Sequence, residues 1–176
     1  MLIRKLNLPP VNYLYPRPSD TMSVTAVSGV AQCPWLGELG LVSMADRIIT
    51  LQAWLPPKET TVIHRDLNPQ RHPIPWTILF CPVGHGNLML KLFRSKDESK
   101  TGVQGAPSGR HGVPTIDSDN AELIEGFRID EGTAAIFSPG NYYHSVENPT
   151  DRWINAISLR ANSLSTLGEL EGLLAK

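Results

Sequence analysis

Proline and glycine punctuate this chain so densely that a long helix has little room to run. Fifteen prolines and fourteen glycines are spread over 176 residues. Each proline removes a backbone donor and each glycine loosens the chain, so the segments left between them are short and suit strands. Eight candidate strands follow: Met22–Val30, Asp46–Leu55, Thr60–Asp66, Trp76–Val83, Asn87–Phe93, Ala121–Phe127, Thr133–Ser138 and Arg152–Arg160. Leu88, Leu90 and Leu92 alternate with polar or smaller neighbours at period two, the mark of a strand with one buried face. His144 stands on a further strand after the Pro139-Gly140 turn.

Only the tail reads as helix. In residues 163–175, Thr166 and Glu169 make a capping-box pattern, and Leu167, Leu170 and Leu174 recur on one face. Gly168 and Gly172 each weaken such a helix by about 1 kcal/mol relative to alanine, so it must lean on the sheet. Many short strands and one terminal helix imply an all-β sandwich or jelly-roll barrel. The length suits one domain over 1–176, which at this size buries roughly 70% of its unfolded surface. With 41% hydrophobic residues there is material for a core. Ser95–Val113, rich in glycine, serine and lysine, is too long for a hairpin turn and reads as a mobile loop or a lid.

Charge excludes several partners. The net charge is -1, and the longest charged run, Arg94–Lys100, mixes both signs, so it reads as a solvated loop rather than a nucleic-acid surface. Arg4, Lys5 and Asn7 interrupt the N-terminus before an apolar signal region forms, and no apolar run reaches the ~20 residues that span a bilayer. Cys33 and Cys81 lie far apart without a Cys-x-x-Cys pattern, which argues against a disulfide framework or a thiolate zinc site. A soluble, cytoplasmic protein without membrane or nucleic-acid partners is the expectation.

Chemistry concentrates at a few positions. His64 and Asp66 are two residues apart on one strand, so both side chains share a face, a placement that metal sites use. Arg71 and His72 follow just before the apolar strand that starts at Trp76. His85 sits between glycines at a hairpin tip and reads as exposed. Lys91 alternates with Leu90 and Leu92; pointing inward it would offer an anion contact, although an outward lysine is the commoner outcome. His144 follows a glycine, a Pro-Gly turn and two tyrosines in "GTAAIFSPGNYYHSVEN".

"PKETTVIHRD", with Gly84 beyond it, and "GTAAIFSPGNYYHSVEN" resemble the two halves of the cupin signature. Asp66 stands where that superfamily usually has a second histidine, and no carboxylate occurs near Thr77, where its glutamate ligand would stand. Within the superfamily, "QRHPIPWTILFCPVG" and "IEGFRIDEGTAAIFSPGNYYH" resemble the ureidoglycolate lyase family of allantoin catabolism, with Arg71, His72, Phe80, Pro82, Phe127, Phe137 and His144 at matching positions. Tyr143 replaces that family's tryptophan, Ser145 the residue beside the catalytic one, and Ser138 a basic or polar position. The resemblance implies a cupin-type jelly roll, a homodimer, and a metal-free lyase that cleaves a small carboxylate-bearing hemiaminal, ureidoglycolate, to glyoxylate and urea. His144 and His72 would share the proton work with Tyr143 or Tyr142 as hydroxyl donor; Arg71, Lys91 and Tyr142 would hold the substrate. Two other readings stand beside it. One is a metal-dependent cupin oxygenase or isomerase holding iron, manganese or zinc on His64, Asp66 and His144. The other is a non-catalytic cupin that binds a small metabolite.

Overall fold

The structure is a computed structural model that describes residues 2–12, 16–17, 19–27, 29–68, 70–105 and 112–175. Its strands are β1 (Arg4–Asn7), β2 (Ser23–Val27), β3 (Ile49–Leu55), β4 (Trp76–Phe80), β5 (Leu88–Ser95) and β6 (Gly102–Gly105). They continue as β7 (Gly112–Thr115), β8 (Ala121–Ile129), β9 (Thr133–Phe137), β10 (Tyr143–Glu147) and β11 (Ile154–Ala161). Among the described residues the α-helices are α1 (Gly29–Gln32), α2 (Trp35–Glu38) and α3 (Leu164–Leu174). A six-stranded antiparallel sheet runs β1-β9-β4-β11-β3-β2, and a three-stranded sheet runs β10-β5-β8. The all-β jelly-roll expectation with one C-terminal helix holds.

The large sheet is covered on both faces, which explains its near-continuous apolar strands. On β4, Ile78 and Phe80 face a helical layer in which Trp35, Leu36, Met44, Leu167 and Leu170 are buried. Leu79 on the same strand faces the other way, into a second cluster with Leu88, Leu90, Leu92 and Phe137 between the two sheets. Each large apolar side chain so placed contributes roughly 1.5–3 kcal/mol. The alternation decides the face for the whole strand, because adjacent residues point oppositely. On β11, Ile154 and Ala156 belong to the inter-sheet cluster, so Ser158 and Arg160 point between the sheets too.

Several expectations change. Thr60–Asp66 does not form a regular ladder; it is tied to its neighbours by isolated bridges, Thr60 to Glu147 and His64 to both Thr115 and His144. The helix cap is Ser163, whose Oγ accepts from the Thr166 backbone N–H at 3.1 Å, so Thr166 and Glu169 lie inside the helix rather than framing it. The Ser95–Val113 stretch contains a 3-10 turn at Glu98–Lys100 and the paired strands β6 and β7, while 106–111 fall outside the described residues. Helices α1 and α2 are too short to leave a periodic signature. Both cysteines are free and buried. Among the described residues no helix is long and apolar enough to cross a membrane.

Candidate metal centre

The extended segment carrying His64 and Asp66 threads between two neighbours. The His64 and His144 backbones exchange both hydrogen bonds, at 3.0 and 2.8 Å. Asp66 N–H donates to the Pro139 carbonyl at 2.9 Å, while Arg65 N–H turns the other way to the Pro114 carbonyl at 3.0 Å. The even-numbered residues therefore register against the turn and start of β10, which brings His64 and Asp66 to His144. Gly140 makes this approach possible: a Cβ there would lie 2.5 Å from the Ile74 nitrogen and 2.7 Å from its carbonyl oxygen. Gly140 N–H in turn donates to the Ile74 carbonyl, and Ile74 N–H to that of Asp66.

The result is a compact buried cluster. One ligand atom from each of His64, Asp66 and His144 lies within 4.8 Å of the others. His64 Nε2 is 3.4 Å from Asp66 Oδ1 and His144 Nε2 is 4.0 Å from Asp66 Oδ2. The two imidazole centroids are 4.4 Å apart, and Phe137 meets the His144 ring edge-on at 5.2 Å. Each Nδ1 points at a carbonyl two residues back in its own chain, Val62 at 2.8 Å for His64 and Tyr142 at 3.4 Å for His144. A carbonyl only accepts, so each Nδ1 carries a proton and Nε2 is the ring nitrogen turned toward Asp66. His64 Nε2 donates to the carboxylate when that ring is protonated, whereas a neutral ring offers its Nε2 lone pair to an ion instead. Asp66 also accepts from Arg160 Nη2, which reaches it from β11.

Burial and charge set the protonation. Burial alone would raise the Asp66 carboxyl, but the Arg160 guanidinium and the His64 hydrogen bond hold it well below the usual carboxylate range. Burial alone would lower His64, but its bond to Asp66 and the charge there raise it. Burial, assisted by the charge on His64, pushes His144 down to about 3. Near neutral pH the cluster therefore presents an ionised carboxylate and a neutral His144. To serve as a metal ligand, His64 would have to give up any proton on Nε2. Two imidazoles and one carboxylate with a fixed tautomer make a donor set that iron(II), manganese(II) and zinc accept.

The other sequence candidates are placed elsewhere. Arg71 and His72 are exposed at the turn between the bridged residues Leu67 and Pro73, with Arg71 at φ 65°. Among the described residues neither side chain makes a hydrogen bond or ion pair with the cluster; His72 uses its backbone N–H on Asn68 Oδ1 at 2.8 Å. Lys91 pairs in register with Ser145, whereas His144 pairs with Leu92. The inward reading of Lys91 is thus corrected: it leaves the sheet on the opposite face and binds Glu147. The same alternation turns Tyr143 away from the His144 ring. Tyr143 is buried beneath Arg65, 4.4 Å above its ring, and its hydroxyl meets Thr101 Oγ1 at 3.1 Å and Glu98 Oε2 at 3.4 Å. Tyr142, partly buried, packs against the inter-sheet cluster. His85 is half-buried rather than exposed, accepting from Asn155 N–H at 2.9 Å.

Arg160 was missed by sequence reasoning. Its signal is the single charge in "INAISLRA", in step with Ile154, Ala156 and Ser158 on what becomes the buried face; a charge there needs a partner.

No family model matches the chain, and no curated protein matches it. Among solved structures it is similar to an oxalate decarboxylase from a study of substrate binding and reaction specificity, at TM-score 0.46 and 12% identity over 85% of this chain and 28% of that one. It is similar to an oxalate oxidase in complex with the substrate analogue glycolate, at TM-score 0.45 and 16% identity over 84% and 54% of the two chains. It is also similar to procruciferin, an 11S globulin from Brassica napus, at TM-score 0.43 and 9% identity over 84% and 27%. The chain spans between about a quarter and about half the length of these structures.

Proposed function

We propose that this chain is a metal-dependent cupin-type enzyme, an oxygenase or isomerase acting on a small carboxylate-bearing substrate. The carrying observation is the convergence of two Nε2 atoms and the Asp66 carboxylate on one buried point, with both Nδ1 atoms tied to backbone carbonyls. His64, Asp66 and His144 would hold the ion, a donor set of two histidines and one carboxylate. When bound, such an ion supplies Lewis acidity that polarises a substrate oxygen. Phe137 and the leucines of β5 keep bulk water from the ring of His144.

The ureidoglycolate lyase reading assigned Arg71 and His72 to the same pocket as His144, and their exposed position favours the metal reading over it. The non-catalytic reading has one observation in its favour: two of the three ligands are nearly closed off, His144 at 4% and Asp66 at 8% exposed, and only His64 is half-buried. Two surface hollows, of about 900 Å³ beside Leu6, Gly40 and Leu174 and about 250 Å³ beside Asp97 and Asp117, are lined by none of the three ligands. Metal analysis of chelator-stripped and reconstituted protein tests the proposal. Stoichiometric iron, manganese or zinc in the wild type, lost in His144→Ala, supports it; a wild type that retains none of the three overturns it. Glyoxylate release from ureidoglycolate by metal-free protein would restore the lyase reading.

A further inference from the structure

Arg160 sits where a simple metal site would place no cation. Its Nη2 donates to Asp66 Oδ2, the oxygen 4.0 Å from His144 Nε2. An ion held by Asp66 and His144 would share that carboxylate with the guanidinium. Two cations compete for one carboxylate in a poorly solvated place, where their repulsion is weakly screened. The guanidinium also has an unused donor: Arg160 Nε is buried and makes no hydrogen bond. Nε and Nη2 form one edge of the planar fork, suited to two parallel bonds with a carboxylate. Asp66 takes only one of them. Thr77, opposite Arg160 in the β4–β11 ladder, shares a 3.1 Å hydroxyl contact with Ser158, two residues before Arg160 on β11.

Resting on the metal reading of this site, we propose that Arg160 is an exchangeable counter-ion. Its guanidinium competes with the metal for Asp66, and a small carboxylate ligand that takes its Nε–Nη2 edge draws it off, so metal and carboxylate bind cooperatively. The coupling is reciprocal: whatever factor the anion adds to metal affinity, the metal adds to anion affinity. The substrate class follows from the fork: a small molecule with one unhindered carboxylate.

The test is metal binding, not turnover. Stripped full-length protein is titrated with cobalt(II) or zinc(II) by calorimetry and chelator competition, with acetate, with its neutral isostere acetamide, or with chloride at matched ionic strength. Wild type is expected to bind metal at least threefold tighter with acetate than with chloride, and acetamide to have no effect. Arg160→Met is expected to bind metal tenfold or more tighter than wild type without acetate, and to lose the acetate response. Arg160→Lys keeps the charge without the fork and is expected to bind metal as weakly as wild type with no acetate response. Equal or weaker metal binding by Arg160→Met, or an acetate response that survives in it, overturns the inference while leaving the metal site standing. The wild-type acetate comparison needs no variant, so equal affinities in acetate and chloride overturn it even where a variant misfolds. No metal uptake by wild type under any condition overturns both.

Discussion

Replacing Asp66 by asparagine deletes the one negative charge in a cluster that also holds Arg160 and His64. The side chains of Asp66 and Arg160 are only 12% and 16% exposed, so water supplies little of the lost interaction. Breaking a buried pair by removing one partner costs about 3–5 kcal/mol. Asparagine keeps the size and one acceptor oxygen, which places the loss near the lower end, about 3 kcal/mol. At about 2–4 °C per kcal/mol for a chain of this length, Asp66→Asn is expected to melt roughly 6–12 °C below wild type. The assay is thermal and urea denaturation of chelator-treated protein at pH 7, for Asp66→Asn, Arg160→Met and the double variant. Removing both charges should recover at least half the loss, because the penalty belongs to the stranded guanidinium. The pH dependence has a definite sign. The Asp66 carboxyl is held below its ordinary range, so its contribution is present above the unfolded value of about 3.9 and fades as pH falls below it. The gap between wild type and Asp66→Asn should therefore narrow below pH 4. A single variant within 2 °C of wild type at pH 7, or a double variant no better than the single, refutes the reasoning.

His144, pushed down to about 3 by burial, takes its proton more readily unfolded than folded. Its contribution is complete above about pH 6.5 and is lost as pH falls toward 3, by up to about 1.4 kcal/mol per pH unit. Urea midpoints of His144→Gln across that window should fall less steeply with acid than those of wild type, and an unchanged slope would contradict the burial argument. Gly140→Ala is expected to destabilise by about 1–3 kcal/mol, because the added methyl meets the Ile74 backbone and the Pro73 ring; a melting temperature equal to wild type would sink the close-approach account. Tyr143→Phe should leave metal affinity within about twofold, since its hydroxyl serves Thr101 and Glu98 on the far face of β10. A larger loss by calorimetry would show that the face is misassigned.

Strands that bury at least one face in regular alternation were legible in the sequence. β4, β5, β9 and β11 lie within a few residues of their expected bounds because their apolar runs are bounded by proline, glycine or asparagine. β6 and β7 were not legible, since Gly102, Gly105 and Gly112 carry no hydrophobic period. α1 and α2 span four residues each, too few for a helical repeat to show. The pairing of His64 with Asp66 was readable from spacing alone, and the turn at Pro139-Gly140 pointed to His144. What sequence did not supply was register. Whether Lys91 or Leu92 shares a face with His144 depends on which residues sit opposite in β5 and β10, and a one-residue slip would exchange them. Arg160 escaped for a related reason: its partner lies 94 residues away, and only sheet packing brings them together.

That separation governs when the proposed ion site can assemble. A nascent or denatured chain offers only the His64-x-Asp66 pair, a weak chelate, because His144 and Arg160 arrive once the two sheets have docked. Pairings between such distant segments form slowly, so metal uptake followed in real time during refolding should trail the appearance of strand signal and coincide with the final consolidation of the molecule.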